Sequence, residues 1–317
     1  MKYKKFNKSK KNTFIAVMYH HISEKESLFH NVSFNKFKKQ ISFLKKNYNI
    51  LSPEDFFIKF KQKTINKKDC ILTFDDGYYS QYKYAFKYLK KKRIKAFFFP
   101  LINFKNNNKY GLHNINKIQL ILNCITQDEN KVALVEDILK KNKIYISKIL
   151  KKDFINKHNK LYYNENILSI RLTLQRIFPY DMRIRIINKI YSKLVNLKFN
   201  NFYCNIKHLK QIKKFGNEIG VHSLNHDWLS SLSYRKQYSE ISFAYNFFIK
   251  KKLINKKKWY FSYPFGDYNL NTLKVLRKKN CAMSFSVARA ESNKLSNKCK
   301  NKFLIQRIDC NHIKKIL

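Results

Sequence analysis

Cys70-Ile71-Leu72-Thr73-Phe74-Asp75-Asp76-Gly77 is a short apolar run that ends in two adjacent carboxylates and a glycine. In a barrel of parallel strands and helices, reactive groups gather where strands end and loops begin. A buried strand delivering Asp75 and Asp76 to such a rim fits that pattern. Neighbours on a strand point to opposite faces, so the spacing predicts different tasks for the two carboxylates, one holding a metal and the other handling a proton. An ordinary strand followed by an acidic turn is the competing reading, because Asp-Gly is a common turn pair.

The flanking sequence repeats the same unit. Phe14 to Tyr19 reads as a buried strand that ends at His20, and Asn49-Ile50-Leu51 as a short one. Further strands are expected at Ala96–Pro100, Glu218–His222, Trp259–Tyr263, Ala282–Val287 and Phe303–Ile308. Between them, apolar residues recur at helical spacing, as in Phe34, Phe37, Ile41 and Leu44 after a capping Ser33. Ser52-Pro53-Glu54-Asp55 has the cap, proline and early acids of a second helix start. Strand, helix, strand at this spacing implies parallel units with right-handed crossovers. About eight short strands point to a (β/α) barrel rather than an open sheet. From about 104 to 205 the rhythm is helical only (Ile118, Ile121, Leu122, Ile125; Ile184, Ile187, Ile190, Leu194), which reads as a helical insertion within a single domain spanning 1–317.

Lys+Arg number 67 against 20 Asp+Glu, a formal net charge of +47. One explanation is an acidic partner: nucleic acid, an anionic membrane or a charged glycan. The other is compositional. Lys, Asn, Ile, Tyr and Phe are abundant while Gly (5), Pro (4) and Trp (2) are scarce, the signature of AT-rich coding bias. The lysines run through every helix instead of marking one face, which favours bias. Glycines that survive it are expected where the backbone needs them, and Gly77, Gly220 and Gly266 each adjoin a candidate site. Cys70, Cys124, Cys204, Cys281, Cys299 and Cys310 form no C-x-x-C pair and read as reduced thiols of a cytoplasmic, at most membrane-peripheral, protein. The basic stretch 1–12 reads as a tail, the apolar run 14–18 is too short for a signal-peptide core, and no stretch nears the roughly 20 apolar residues of a membrane span.

Two further constellations could carry chemistry. His222-Ser223-Leu224-Asn225-His226 places two imidazoles four residues apart, close enough to share one metal ion. Neutral imidazoles with a carboxylate form a common catalytic zinc set that leaves one position open. Phe261-Ser262-Tyr263-Pro264-Phe265-Gly266 sets aromatics around a proline and a glycine at a strand end, a candidate wall for a sugar ring or an ordinary core turn.

Taken in this order, the three stretches resemble the polysaccharide deacetylase family, carbohydrate esterase family 4, also called the chitooligosaccharide deacetylase or NodB homology domain. Thr73-Phe74-Asp75-Asp76-Gly77 resembles its first motif, His222-Ser223-Leu224-Asn225-His226 its second, and Tyr263-Pro264-Phe265-Gly266 a reduced third. The resemblance covers residues 14–104 and about 206–310. It implies a distorted (β/α) barrel and metal-dependent removal of acetyl groups from N-acetylated sugars. By motif, Asp76, His222 and His226 would bind the metal, usually zinc, and Asp75 would be the general base. Tyr263, Pro264 and Phe265 would face substrate, and a backbone N–H near Tyr263 would help hold the oxyanion.

The sequence departs from the family pattern in two places. No arginine stands shortly before Pro264, and the late Leu-x-His that supplies the acid is missing, Cys310-Asn311-His312 being a poor match. Met18-Tyr19-His20 is similar to the start of a subgroup whose N-terminal histidine serves as the acid, which gives His20 that role and leaves His21 structural. Arg307, at the end of the last strand, is the candidate to replace the missing arginine by pairing with Asp75. The expected substrate is an N-acetylated sugar of a cell-surface glycan precursor, with peripheral contact to an anionic membrane as a further option. Three rivals stand beside it: deformylation of a lipid-linked amino sugar, nucleic-acid binding driven by charge, and a metal-free relative that only binds glycan. No nucleic-acid-binding motif is present, and neither Asp-Asp-Gly nor His-x-x-x-His is needed for that reading.

Overall fold

All eight residues of the strand Asp69–Asp76 are buried, as expected of a parallel strand covered on both faces. The computed structural model describes residues 14–24, 31–102, 111–142, 165–177, 180–196, 201–287 and 301–315; the basic stretch 1–12 and Cys299 lie outside them. The strands are β1 Ile15–Tyr19, β2 His21–Ser23, β3 Asn31–Ser33, β4 Asn49–Ile50, β5 Asp69–Asp76, β6 Phe97–Pro100, β7 Glu218–Ile219, β8 Tyr260–Ser262, β9 Met283–Val287 and β10 Ile305–Asp309. The described helices are α1 Phe34–Asn47, α2 Pro53–Gln62, α3 Lys87–Lys91, α4 Asn114–Ile125, α5 Glu129–Lys141, α6 Glu165–Leu172, α7 Tyr180–Leu194, α8 Ile206–Lys214, α9 Tyr234–Lys250 and α10 Leu270–Lys278. Contacts divide the chain into two units: 1–104 with 201–224 and 232–317, and 105–200 with 225–231.

The first unit is a parallel sheet of 8 strands in the order β7-β6-β5-β1-β10-β9-β8, with β4 pairing beside β5. Its two ends meet at a parallel bridge between Val221 and Phe261. There the Val221 N–H donates to the Tyr260 carbonyl and the Ser262 N–H to the Val221 carbonyl, each at 2.9 Å. The sheet thus closes on itself as the distorted (β/α) barrel expected from the sequence. Ser33 and Ser52 cap α1 and α2 by accepting from Lys36 N and Asp55 N, and α1 turns Phe37, Ile41 and Leu44 inward. A short parallel pair, β2 with β3, was not anticipated.

Alternation along the strands fills the barrel. Ala16, Ile71, Phe97, Phe99, Tyr260, Met283, Phe285 and Ile305 form one apolar cluster. Two residues further along β5 and β10 the same inward rows change character, to Thr73 and Asp75 on one strand and Arg307 on the other. The interior therefore turns from hydrocarbon to charge towards the C-terminal ends of the strands. Gly220 lets β7 and β8 approach here: a Cβ on it would stand 2.4 Å from Phe99 Cε1 and 2.9 Å from the Tyr260 carbonyl oxygen.

The second unit contains helices and no strand among its described residues. Of the apolar stripes read from the sequence, Ile118, Ile121, Leu122 and Ile125 on α4 and Ile187 and Ile190 on α7 are buried, while Ile184 and Leu194 are half-buried; Val135, Ile138 and Leu139 on α5 are buried as well.

Candidate active site

Asp75 stands on the inward row of β5, 2% exposed, above Thr73. Burying a carboxylate is unfavourable unless it is paired, and here Arg307 pairs it. The guanidinium, fully buried at 0% exposure, forks onto Asp75 with Nη1–Oδ1 and Nη2–Oδ2 distances of 2.7 Å. Nη1 also donates to Thr73 Oγ1 (3.2 Å), Nη2 to Ser262 Oγ (2.8 Å) and Nε to the Ser286 carbonyl (3.3 Å). Every guanidinium N–H thus meets an acceptor in the fixed fork geometry of arginine. Ser262 in turn donates to Asp75 Oδ2 at 3.0 Å. Arg307 from the last strand therefore sits where the sequence expectation put it, against Asp75. Burial pushes the Asp75 carboxyl up, but the charges of Arg307, His222 and His20 outweigh it and hold Asp75 below the usual carboxylate range.

The strand rule failed at the next residue. Asp76 was expected to face away from Asp75, yet the His222 Nε2 lies 3.5 Å from Asp76 Oδ1 and 3.9 Å from Asp75 Oδ2. The cause is backbone. Asp76 has φ +71°, a left-handed conformation that turns its side chain out of the strand's alternation. Gly77 follows at φ +71°, and a Cβ there would stand 2.5 Å from Pro100 Cβ. Left-handed non-glycine residues recur in the other two stretches, at Ser223 (φ +60°), His226 (φ +59°) and Phe265 (φ +56°). Such conformations each cost on the order of 1–2 kcal/mol and gather where function demands a geometry.

His222 follows Val221 directly, so the barrel's closing bridge places it. Its Nδ1 lies 2.8 Å from the Ser262 carbonyl oxygen. A carbonyl only accepts, so Nδ1 carries a proton, and Nε2, the nitrogen that faces the carboxylates, is the atom the imidazole offers as a ligand when neutral. Burial pushes the His222 pKa down, but Asp75 and Asp76 prevail and raise it. Four residues on, His226 completes a group with Asp76 and His222 whose ligand atoms all lie within 4.8 Å of one another. Two imidazoles and a carboxylate, buried or nearly so, are a donor set that fits a borderline divalent cation.

His20 follows Tyr19, which is in register with Phe74, so it leaves β1 beside Asp75. The fully buried Gln81 ties these two strand ends together, its Nε2 donating to the carbonyls of both His20 and Asp75. His21 turns aside, as expected, with Nδ1 3.3 Å from Asn31 Oδ1 and its ring edge-on to Tyr78.

The third stretch needs correction. Tyr263 is 0% exposed; its hydroxyl lies 2.7 Å from Ser284 Oγ and donates to the Phe303 carbonyl at 2.9 Å. It is a core residue, and its backbone N–H already donates to the Phe285 carbonyl at 3.0 Å, which removes it as an oxyanion donor. Pro264 is buried as well, and of the three only Phe265 is part-exposed. The contributor to the charged cluster from this stretch is Ser262. Thr73, Ser262, Ser286 and Gln81 were all overlooked as site residues, because a neutral polar residue in an apolar strand or helix carries no signal of its own.

Comparison with known proteins bears on this arrangement. Curated proteins gave no match to the sequence. Among solved structures, the deacetylase PplD of Streptococcus pyogenes, in complex with acetate, aligns with TM-score 0.52 and 17% identity over 94% of this chain and 92% of its own. IcaB from Ammonifex degensii aligns with TM-score 0.55 and 16% identity over 96% and 95%. A de-N-acetylase from Aggregatibacter actinomycetemcomitans gives 0.52 and 14% over 96% and 99%. At such identities these likenesses speak to the fold. The sequence itself matches the polysaccharide deacetylase family over residues 62–284, more than two thirds of its length, and so the chain belongs to that family and is an amide-hydrolysing enzyme.

Proposed function

We propose that the chain removes the N-acetyl group from an amino sugar of a cell-surface glycan or its precursor, with Asp76, His222 and His226 holding a divalent cation that we take to be zinc. When bound, such a cation lowers the pKa of a water and polarises the amide carbonyl. Asp75 accepts the proton of the attacking water. Arg307 and Ser262 fill three of the roughly four acceptor positions of its carboxylate, which aims the group and leaves one position for that proton. The same contacts keep Asp75 ionised, as a base must be before the reaction. His20, beside Asp75 at the end of β1, donates the proton that lets the amine depart. Without that proton the tetrahedral intermediate would collapse back to the amide.

The observation that carries this reading is the pairing of Arg307 with Asp75 next to the Asp76–His222–His226 donor set. Buried free thiols at Cys70, Cys204, Cys281 and Cys310 support a reducing, cytoplasmic site of action, and the net charge of +47 supports peripheral contact with an anionic membrane. Acetate release from N-acetylglucosamine oligomers by the zinc-loaded protein tests the function, with formate release from N-formyl analogues measured alongside. Asp75→Asn is expected to lower the rate by at least about 100-fold. A full rate in that variant would overturn the mechanism.

A further inference from the structure

The residue after the second metal-site histidine is anchored by a part-buried ion pair within the helical unit. His226 and Asp227 lie in the segment Asn225–Ser231, which groups with residues 105–200. Arg183 of α7, 8% exposed, donates from Nη2 to Asp227 Oδ1 at 2.6 Å and from Nη1 to the Gln175 carbonyl at 2.6 Å. The Gln175 carbonyl belongs to a π-helical stretch, Thr173–Ile177, whose widened turn offers carbonyls to side chains. One residue further, the Arg176 guanidinium lies 5.0 Å from the Trp228 ring centroid. Ser231 closes the segment, its hydroxyl donating to the Trp228 carbonyl at 2.6 Å.

We infer that Arg183 is a positioning residue for the metal site: by fixing Asp227 it holds the adjoining His226 in its left-handed conformation and aims that imidazole. The inference rests on the proposed metal site. His226, at φ +59°, adopts a backbone that a histidine leaves when nothing restrains it. Its orientation is restrained from the C-terminal side by Asp227 and Trp228, each gripped by an arginine of the helical unit.

The test is zinc affinity of the full-length chain, measured by competition with a chromophoric chelator, with thermal unfolding as a check on folding. Arg183→Met and Asp227→Asn should each weaken zinc binding about 10–100-fold, the range for a lost partner of a metal ligand. The double variant should be no weaker than the worse single one, and Arg183→Lys should recover part of the loss. At saturating zinc the turnover of Arg183→Met should return towards wild type. Ile138→Val, in the same helical unit, should leave affinity unchanged, because general loosening is not the cause. Should Arg183→Met not fold, Asp227→Asn and Arg183→Lys carry the measurement. Zinc affinity within twofold of wild type in folded Asp227→Asn would overturn the inference. Wild-type protein that takes up no zinc, or His226→Ala that binds it as well as wild type, would instead overturn the metal site itself.

Discussion

Removing Arg307 should be the most destabilising single change in the barrel, and the size of the loss follows from its contacts. In Arg307→Met the side-chain volume is roughly kept, so packing against Phe99 changes little. What is lost is charge. Asp75, 2% exposed, keeps the Ser262 hydroxyl and the more distant His222, and Thr73 and the Ser286 carbonyl each lose a donor. Breaking a buried ion pair from one side costs about 3–5 kcal/mol, against a total stability of about 5–15 kcal/mol for a domain. Thr73 still donates to the Val17 carbonyl at 2.9 Å, so its share is small. Asp75→Asn with Arg307→Met together should cost less than the sum of the two single changes, by about 2–3 kcal/mol, because no charge remains stranded.

The sign with pH follows from the same contacts. In the wild type the Asp75 pKa is held below its unfolded value of about 3.9, so its stabilisation is present above that pH and fades below it. Without Arg307, burial is opposed only by the lesser charges of His222 and His20, so the pKa moves up and the penalty grows as pH rises from about 4 towards neutrality. Urea unfolding of chelator-treated protein at pH 4 and pH 7 measures both effects. A loss under about 1 kcal/mol at pH 7, or strict additivity in the double variant, would refute the account.

Three other outcomes are expected. His20→Ala should lower turnover by about 100-fold or more with little change in KM, and flatten the alkaline side of the pH–rate profile, since the acid is gone; an unchanged profile would remove His20 from the mechanism. His21 is pushed below its usual pKa by burial, only partly offset by its bond to Asn31, so it takes up protons more readily unfolded than folded. Stability should therefore fall with its protonation as pH drops below about 6.5, and His21→Gln should reduce the slope between pH 7 and pH 5; equal slopes would count against it. In Gly220→Ala the new methyl meets Phe99, itself packed with Phe97 and Phe285 at centroid distances of 6.2 and 5.3 Å, and the loss should be about 1–3 kcal/mol in denaturant unfolding. A neutral result there would mean the barrel core repacks freely.

How much of this was legible depended on whether a residue's type departs from its surroundings. Arg307 was read from its position alone, at the end of the last strand, as a substitute for the arginine missing before Pro264; its sequence would equally suit a surface arginine, and only the buried fork onto Asp75 decides. The strand ends at Asp75, Val221 and Tyr263 were legible because apolar runs stopped abruptly at glycine, histidine or proline. β2 and β3, His-Ile-Ser and Asn-Val-Ser, were not, since three residues are too few to show a period. Asp76 misled for a different reason. Alternation is a property of extended backbone, and the sequence shows only that Asp-Asp-Gly can turn, with glycine the natural place for positive φ. The left-handed step comes one residue earlier, and that shift brings both carboxylates to one imidazole. Tyr263 misled because a tyrosine before a proline reads equally well as groove wall or core, and only its bonds to Ser284 and Phe303 decide.

The same contrast bears on the protein's charge. Its acids number 20 in all, and Asp69, Asp75, Asp76 and Glu240 are buried in the barrel unit. Each is answered by a specific group: Lys59 at 3.0 Å for Asp69, Arg307 for Asp75, His222 for Asp76, and the Leu224 N–H at 3.2 Å for Glu240. A drift in composition that swaps surface residues for lysine changes the field around the molecule but cannot replace Asp75 without stranding the fully buried Arg307, at about 3–5 kcal/mol. The Leu224 N–H adjoins Asn225 and His226, so even Glu240 on α9 acts on the loop that joins the two histidines. The buried acids of so lysine-rich a chain are therefore accounted for by how the strand ends and the histidine loop are held, independently of whatever the surface charge meets.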